Sequence, residues 1–123
     1  MNLIAVNIGS AIINGNGNRI FYTQRNNMTH NGLTFINENY SSNGGALYSN
    51  QGNMEIINST FINNTAANGG AVYVYSGNLS IVDSKFINNS ANASGGAVYS
   101  YRNLNITNSD FENNSANSMG GAI

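Results

Sequence analysis

The stretch Leu79-Ser80-Ile81-Val82-Asp83-Ser84-Lys85-Phe86-Ile87-Asn88-Asn89, followed by Gly95-Gly96-Ala97-Val98-Tyr99, decides the fold because the chain repeats it. Met54-Glu55-Ile56-Ile57-Asn58-Ser59-Thr60-Phe61 and Leu104-Asn105-Ile106-Thr107-Asn108-Ser109-Asp110-Phe111 copy its first half. Phe35, Phe61, Phe86 and Phe111 stand 26, 25 and 25 residues apart. Gly-Gly-Ala recurs at 44–46, 69–71, 95–97 and 120–122, with spacings of 25, 26 and 25. The second residue after each Phe is Asn37, Asn63, Asn88 or Asn113. The third is Asn64, Asn89 or Asn114, with Glu38 in the first copy. Four registered copies of a pattern this long do not arise from composition, and a fixed period of this size marks a repeat architecture.

Inside one unit, Leu79-x-Ile81 and Leu104-x-Ile106 alternate with polar residues, the period of a strand. No run of ten residues shows a helical period. Each unit therefore reads as three short strands joined by Asn, Ser and Gly turns. So small a unit cannot close its own core, whereas stacking units as coils of a parallel β-solenoid does. The expected architecture is all-β, with about five coils of about 25 residues and a rod of roughly 24 Å at the usual strand spacing. The regular repeats occupy 28–123 as one domain. An irregular coil and loop precede them over 1–27, with the loop at about 14–27.

Composition agrees with stacked coils. Of 123 residues, 27 are asparagine, none is proline, cysteine or tryptophan, and only four are basic and five acidic. Proline lacks the amide hydrogen a ladder needs. Like charges stacked on adjacent coils would repel. Asparagine tolerates left-handed turns and bonds to its own kind across coils. Asn37, Asn63, Asn88 and Asn113 are expected to form such a ladder. Phe35, Phe61, Phe86 and Phe111 are expected to stack in the core. Gly45, Gly70, Gly96 and Gly121 mark a bend with no room for a side chain. The same counts exclude a disulfide or zinc-finger domain. Arg19, Arg25, Lys85 and Arg102 are too few and too scattered for nucleic acid. No run of roughly 20 apolar residues offers a membrane helix. Asn2 to Ile13 lacks the basic start and unbroken apolar run of a signal peptide. The chain is thus expected to stay inside the cell or to be a piece of something longer.

FxxN and GGA[ILV] motifs alternating at this period resemble the right-handed parallel β-helix of surface adhesins. They are similar to the polymorphic outer-membrane protein repeats of chlamydiae and to adhesin-like proteins of methanogenic archaea. The likeness covers about 28–123. It departs at Glu38, and it fades at Gly9-Ser10-Ala11-Ile12, an imperfect copy of the glycine motif. The resemblance implies a right-handed β-helix, an extracellular or cell-surface location and a role in adhesion.

Catalytic candidates are few. Pectin-degrading enzymes share the architecture and cluster carboxylates with basic residues on one outer face. Here the acids are Glu38, Glu55, Asp83, Asp110 and Glu112. Asp83 and Asp110 fall on adjacent coils, close enough for a carboxylate pair or a weak calcium site. The plainer reading makes them solvated turn residues, with Lys85 as an ion-pair partner. His30, the only histidine, takes the place of Ile56 and Ile81 and reads as a core position. Gly15-x-Gly17 lacks the third glycine of a dinucleotide loop. No catalytic residue, cofactor or metal site is expected.

The aromatic surface is richer. An aliphatic residue and then Tyr48, Tyr73 or Tyr99 follow the glycine motif, with Tyr75 and Tyr101 two residues on. If Leu47, Val72 and Val98 point inward, all five tyrosines point outward; the opposite register exposes the aliphatics. The outward register is expected, because tyrosine hydroxyls seek water or a partner. With Arg102 the stripe reads either as a self-stabilising ladder or as a face for sugars or another protein. Nine Asn-x-Ser/Thr sequons, at Asn27, Asn39, Asn58, Asn63, Asn78, Asn88, Asn92, Asn105 and Asn113, are glycan acceptors wherever they are exposed in a glycosylating organism.

Neither Leu3-Ile4-Ala5-Val6-Asn7-Ile8 nor Gly120-Gly121-Ala122-Ile123 reads as a solenoid cap. Either neighbouring sequence supplies further coils or copies stack end to end as a filament. The expected function is a non-catalytic surface rod or binding module, its partner a glycan, a surface protein or its own copies. The competing readings are a filament subunit and a polysaccharide-acting enzyme. An ice-binding solenoid would need rows of threonine, and the six present do not align.

Overall fold

Period-two alternation in Met54–Ile57 puts Met54 and Ile56 on one face and Glu55 and Ile57 on the other. In the computed structural model the first pair is buried, at 1% and 0% exposure. The structure describes residues 2–4, as backbone only, and 11–123. Strands β1 (Asn2–Ile4), β2 (Ala11–Asn14) and β3 (Phe21–Thr23) make the first turn. β4 (Met28–Asn31), β5 (Leu33–Ile36) and β6 (Leu47–Gln51) make the second. The third holds β7 (Met54–Ile57), β8 (Thr60–Ile62), β9 (Thr65–Ala66) and β10 (Val72–Ser76). The fourth holds β11 (Leu79–Val82), β12 (Lys85–Ile87), β13 (Ser90–Ala91) and β14 (Val98–Ser100). β15 (Leu104–Thr107), β16 (Asp110–Glu112) and β17 (Ser115–Ala116) begin a fifth.

Every pairing among these strands is parallel and joins one turn to the next, in the orders β1-β4-β7-β11-β15, β2-β5-β8-β12-β16, β3-β6-β10-β14 and β9-β13-β17. The molecule is a parallel β-solenoid of about four turns rather than five, because the last strands only open the final coil. The regular coils carry a fourth strand of two residues beyond the three expected.

The stacked register carries the core. Phe35, Phe61, Phe86 and Phe111 are directly paired. Their rings stack with centroids 4.9, 4.7 and 4.7 Å apart and planes within 12°. The first three are fully buried, each contributing on the order of 2 kcal/mol of apolar burial. Leu47, Val72 and Val98 are likewise fully buried on the facing sheet.

Corners are set by backbone conformation. Asn58, Asp83 and Asn108 have φ of 46°, 50° and 48°, and Asn37, Asn63, Asn88 and Asn113 have φ of 57°, 57°, 55° and 53°. Asparagine and aspartate adopt this left-handed region more readily than other side chains. The two glycines of each pair do separate jobs. Gly44, Gly69, Gly95 and Gly120 take φ of 67°, 59°, 64° and 61°. At Gly70 a Cβ would collide with the carbonyls of Gly96 and Ser90, and at Gly96 with those of Gly121 and Ser115.

Two expectations need correction. Asn37, Asn63, Asn88 and Asn113 are exposed corner residues, not rungs of a ladder. The ladder runs one residue later: Asn64 Nδ2 donates to Asn89 Oδ1 at 2.9 Å, and Asn89 Nδ2 to Asn114 Oδ1 at 3.0 Å. The corner spends the first asparagine on a left-handed turn, which swings the second one inward. Within the expected loop at 14–27, Phe21–Thr23 forms a strand, Phe21 pairing with Leu47 and Tyr22 with Tyr48. Of the run Leu3–Ile8, residues 5–8 lie outside the described residues, as do Gly9 and Ser10 of the imperfect glycine motif.

Candidate binding face

In β6, β10 and β14 Leu47, Val72 and Val98 point inward, with Ser49, Val74 and Ser100 two residues on, so the intervening tyrosines face outward. Tyr48, Tyr73 and Tyr99 are paired across the sheet, and Tyr22 of β3 extends the row by one. Successive centroids lie 5.1, 5.2 and 5.0 Å apart, with planes within 13°. Tyr75 and Tyr101 form a second pair at 5.3 Å and 28°. Parallel rings this close cannot lie side by side, so they overlap face on face. Tyr73, in the middle, is only 8% exposed, while Tyr22, Tyr75 and Tyr101 are 56%, 46% and 61% exposed. Neighbouring rings thus cover the faces within the row and leave edges and hydroxyls to a partner. Burial, reinforced by neighbouring tyrosines, raises the Tyr48 and Tyr73 pKa values.

The cation on this face is Arg19. Its Cζ lies 4.1 Å from the Tyr40 ring centroid, 4.7 Å from Tyr48 and 5.4 Å from Tyr22, an arrangement worth about 1–2 kcal/mol where water is partly excluded. Its Nε is buried without a hydrogen bond. Arg102, the cation expected here, is exposed and lies over none of these rings among the described residues. Sequence reasoning missed Arg19, Tyr22 and Tyr40. The 26-residue step from Tyr22 to Tyr48 was the available signal for the second.

The remaining candidates are dispersed. Asp83 Oδ1 accepts from Asn108 Nδ2 at 2.6 Å. Lys85 Nζ lies 3.9 Å from Asp110 Oδ2, both side chains largely exposed, so the two aspartates take different partners. Among the described residues no three His, Cys, Asp or Glu side chains group to hold a metal ion. His30 is fully buried in the column of Ile56, with ring centroids 5.4 Å from Phe21 and 5.6 Å from Phe35. Burial lowers its pKa from 6.5 to about 4.

Glu38 takes the asparagine slot at the N-terminal end of the ladder. Its N–H donates to Asn64 Oδ1, as Asn64 N–H does to Asn89 Oδ1. Its Oε1 accepts from Gly15 N–H at 2.7 Å, while Oε2 is buried without a partner. Burial raises this carboxyl from 4.5 to about 7. A Cβ on Gly15 would collide with the carboxylate, so glycine is required above it.

Three stretches, 58–75, 83–101 and 108–123, match the model of the Chlamydia polymorphic membrane protein repeat. Those three stretches are similar to that repeat. Comparison with curated proteins and with solved structures returns no match. Each matched stretch starts at a left-handed corner, Asn58, Asp83 or Asn108. It continues through Phe, the Asn pair and the glycines, and the first two reach Tyr75 and Tyr101. The repeat implies an adhesin-like role and an outer-membrane or surface location. No helix of the described residues is long and apolar enough to cross a membrane.

Proposed function

We propose that the chain is a non-catalytic rod of a surface protein and that its tyrosine face docks a protein partner. The observation that carries this reading is the stacked row from Tyr22 to Tyr99, with Arg19 held over its N-terminal end and Tyr75 and Tyr101 alongside. Glycan recognition by stacking needs open ring faces, and the row covers them. What the row offers is a straight ridge of edges and hydroxyls, suited to a protein surface that closes over apolar edges and bonds the hydroxyls. A non-catalytic role is favoured by the separation of Asp83 and Asp110 onto different partners.

The test is binding of labelled chain to intact animal and bacterial cells, before and after surface proteolysis or glycosidase treatment. Proteolysis should abolish the binding that depends on the exposed tyrosines, and glycosidase should spare it. The triple variant Tyr22→Ser/Tyr75→Ser/Tyr101→Ser changes exposed rings only and should bind about tenfold less or worse. Tyrosine-dependent binding that survives proteolysis, or cell binding that the triple variant retains undiminished, overturns the reading.

A further inference from the structure

Thr29, Glu55, Ser80 and Asn105 are the outward residues of β4, β7, β11 and β15, one per coil and in register. Two residues before each stands an asparagine, in a row that begins at Asn27 and ends at Asn103. These rows and the strand residues between them line an open trough of about 460 Å³ that crosses four coils along the rod. It lies on a different sheet from the tyrosines. All twelve lining residues fall outside the stretches that match the repeat, so the motif that builds the coil does not dictate them.

We propose that this trough binds a linear, uncharged, hydroxyl-rich glycan laid along the rod axis. Its asparagines are held in place by their neighbours. Asn53 Oδ1 accepts from Asn78 N–H at 2.9 Å, and Asn78 Oδ1 accepts from Asn103 Nδ2 at 3.0 Å. The Nδ2 groups of Asn53 and Asn78 take no part in these bonds. With the hydroxyls of Thr29 and Ser80 they give fixed donors and acceptors once per coil, and fixing them beforehand lowers the ordering cost of binding. No Lys or Arg lines the trough and Glu55 is its one charge, which disfavours nucleic acid and acidic polysaccharide. A peptide laid along the rod would cross the strands, whose backbone groups are already paired on both sides in β7 and β11, so strand addition is closed to it. A polymer with a hydroxyl-bearing repeat meets an asparagine at every rung, spaced by roughly 4.8 Å, and many weak contacts add along its length.

The test titrates the full chain with cello-, N-acetylated chito- and manno-oligosaccharides from dimer to hexamer, followed by amide NMR shifts and calorimetry. Binding should be weak for the dimer, tighten with each added sugar, and level off once the oligomer spans the four rungs. Ser80→Tyr and Thr29→Tyr each fill the trough from an outward position. At least one should keep the wild-type circular dichroism and unfolding midpoint and lose affinity about tenfold or more. Tyr75→Ser/Tyr101→Ser, on the other face, should bind like wild type, which separates this site from the docking ridge. Three results each overturn the proposal: no shift with any series at millimolar sugar, unchanged affinity in a folded filled variant, or preference for polygalacturonate over the neutral series.

Discussion

Residues 54–116 and residues 11–40 fill the same slots of the same coil, yet they treat buried polar atoms differently. In the regular coils the inward Ser, Phe and Asn slots hold the residue found one coil away. Asn64, Asn89 and Asn114 hand their amides along a ladder, and each also donates to the carbonyl of a core Phe: Phe35, Phe61 and Phe86. Ser59 N–H donates to Ser84 Oγ, and Ser84 N–H to Ser109 Oγ. In the N-terminal coils the slots hold strangers, His30 for Ile56 and Glu38 for Asn64. Of the five buried side-chain atoms without a hydrogen bond among the described residues, four belong to Arg19, His30 and Glu38. Repetition itself satisfies the interior, because each group's need is met by an identical neighbour one strand spacing away.

The comparison breaks most sharply at Gly70. Gly70→Ala sets a methyl against the carbonyls of Gly96 and Ser90 on the next coil. Stacked backbone cannot retreat without parting the coils, so a loss of about 4 kcal/mol or more is expected in chemical denaturation. The analogous Gly17→Ala, at a turn where a Cβ meets nothing, suffers only the left-handed strain of about 1 kcal/mol. Next comes Asn89→Ala. It strips the acceptor from Asn64, the donor from Asn114 Oδ1 and the donor from the Phe61 carbonyl. With about 1–3 kcal/mol for each buried group left unpaired, and some relaxation, a loss of roughly 3 kcal/mol is expected.

How far the fold was legible follows from the same contrast. The Phe column, the glycine pairs and the strand period were readable because each recurs at one spacing. The parity of the two asparagines after Phe was not, since both recur and both are the same residue. Only the corner's backbone, left-handed at Asn63, Asn88 and Asn113, decides which side chain turns inward. The outward tyrosines followed from a hydroxyl's need for a partner. Arg19 and Tyr40 did not, because both residues stand outside the repeated motif and recur on no other coil.

Acidification sharpens the contrast through its two strangers. His30 has a folded pKa of about 4 against 6.5, so its contribution is complete above 6.5 and is lost as pH falls through 4. Glu38 has a folded pKa of about 7 against 4.5, so its contribution is complete below 4.5 and is lost as pH rises through 7. Between 4.5 and 6.5 the unfolded chain protonates the imidazole and the folded chain the carboxyl, one proton each. The two slopes cancel, and stability should be nearly flat across this window. Glu38→Gln removes one slope, so stability should fall on acidification from 6.5 to 4.5, by at most about 2.7 kcal/mol. His30→Ile restores the residue of the regular coils and should reverse the sign, with stability rising as pH drops from 7 to 4.5. Urea midpoints measured at several pH values test this, and parallel profiles for wild type and both variants would refute it.

The smallest effect is the most discriminating. Asn88 and Asn89 are adjacent, identical and in phase with every repeat, yet one is an exposed left-handed corner and the other a buried rung. Asn88→Ala keeps every ladder bond and adds only the strain of a side chain less suited to positive φ, about 1 kcal/mol. Asn88→Gly relieves that strain and should lie within about 0.5 kcal/mol of wild type. At position 89 glycine should be no better than alanine, because what is lost there is a set of hydrogen bonds rather than a backbone preference. Glycine rescue at 88 and its absence at 89, read from the same denaturation series, would separate corner from rung. Equal costs at the two positions would mean that the post-Phe pair works as one unit.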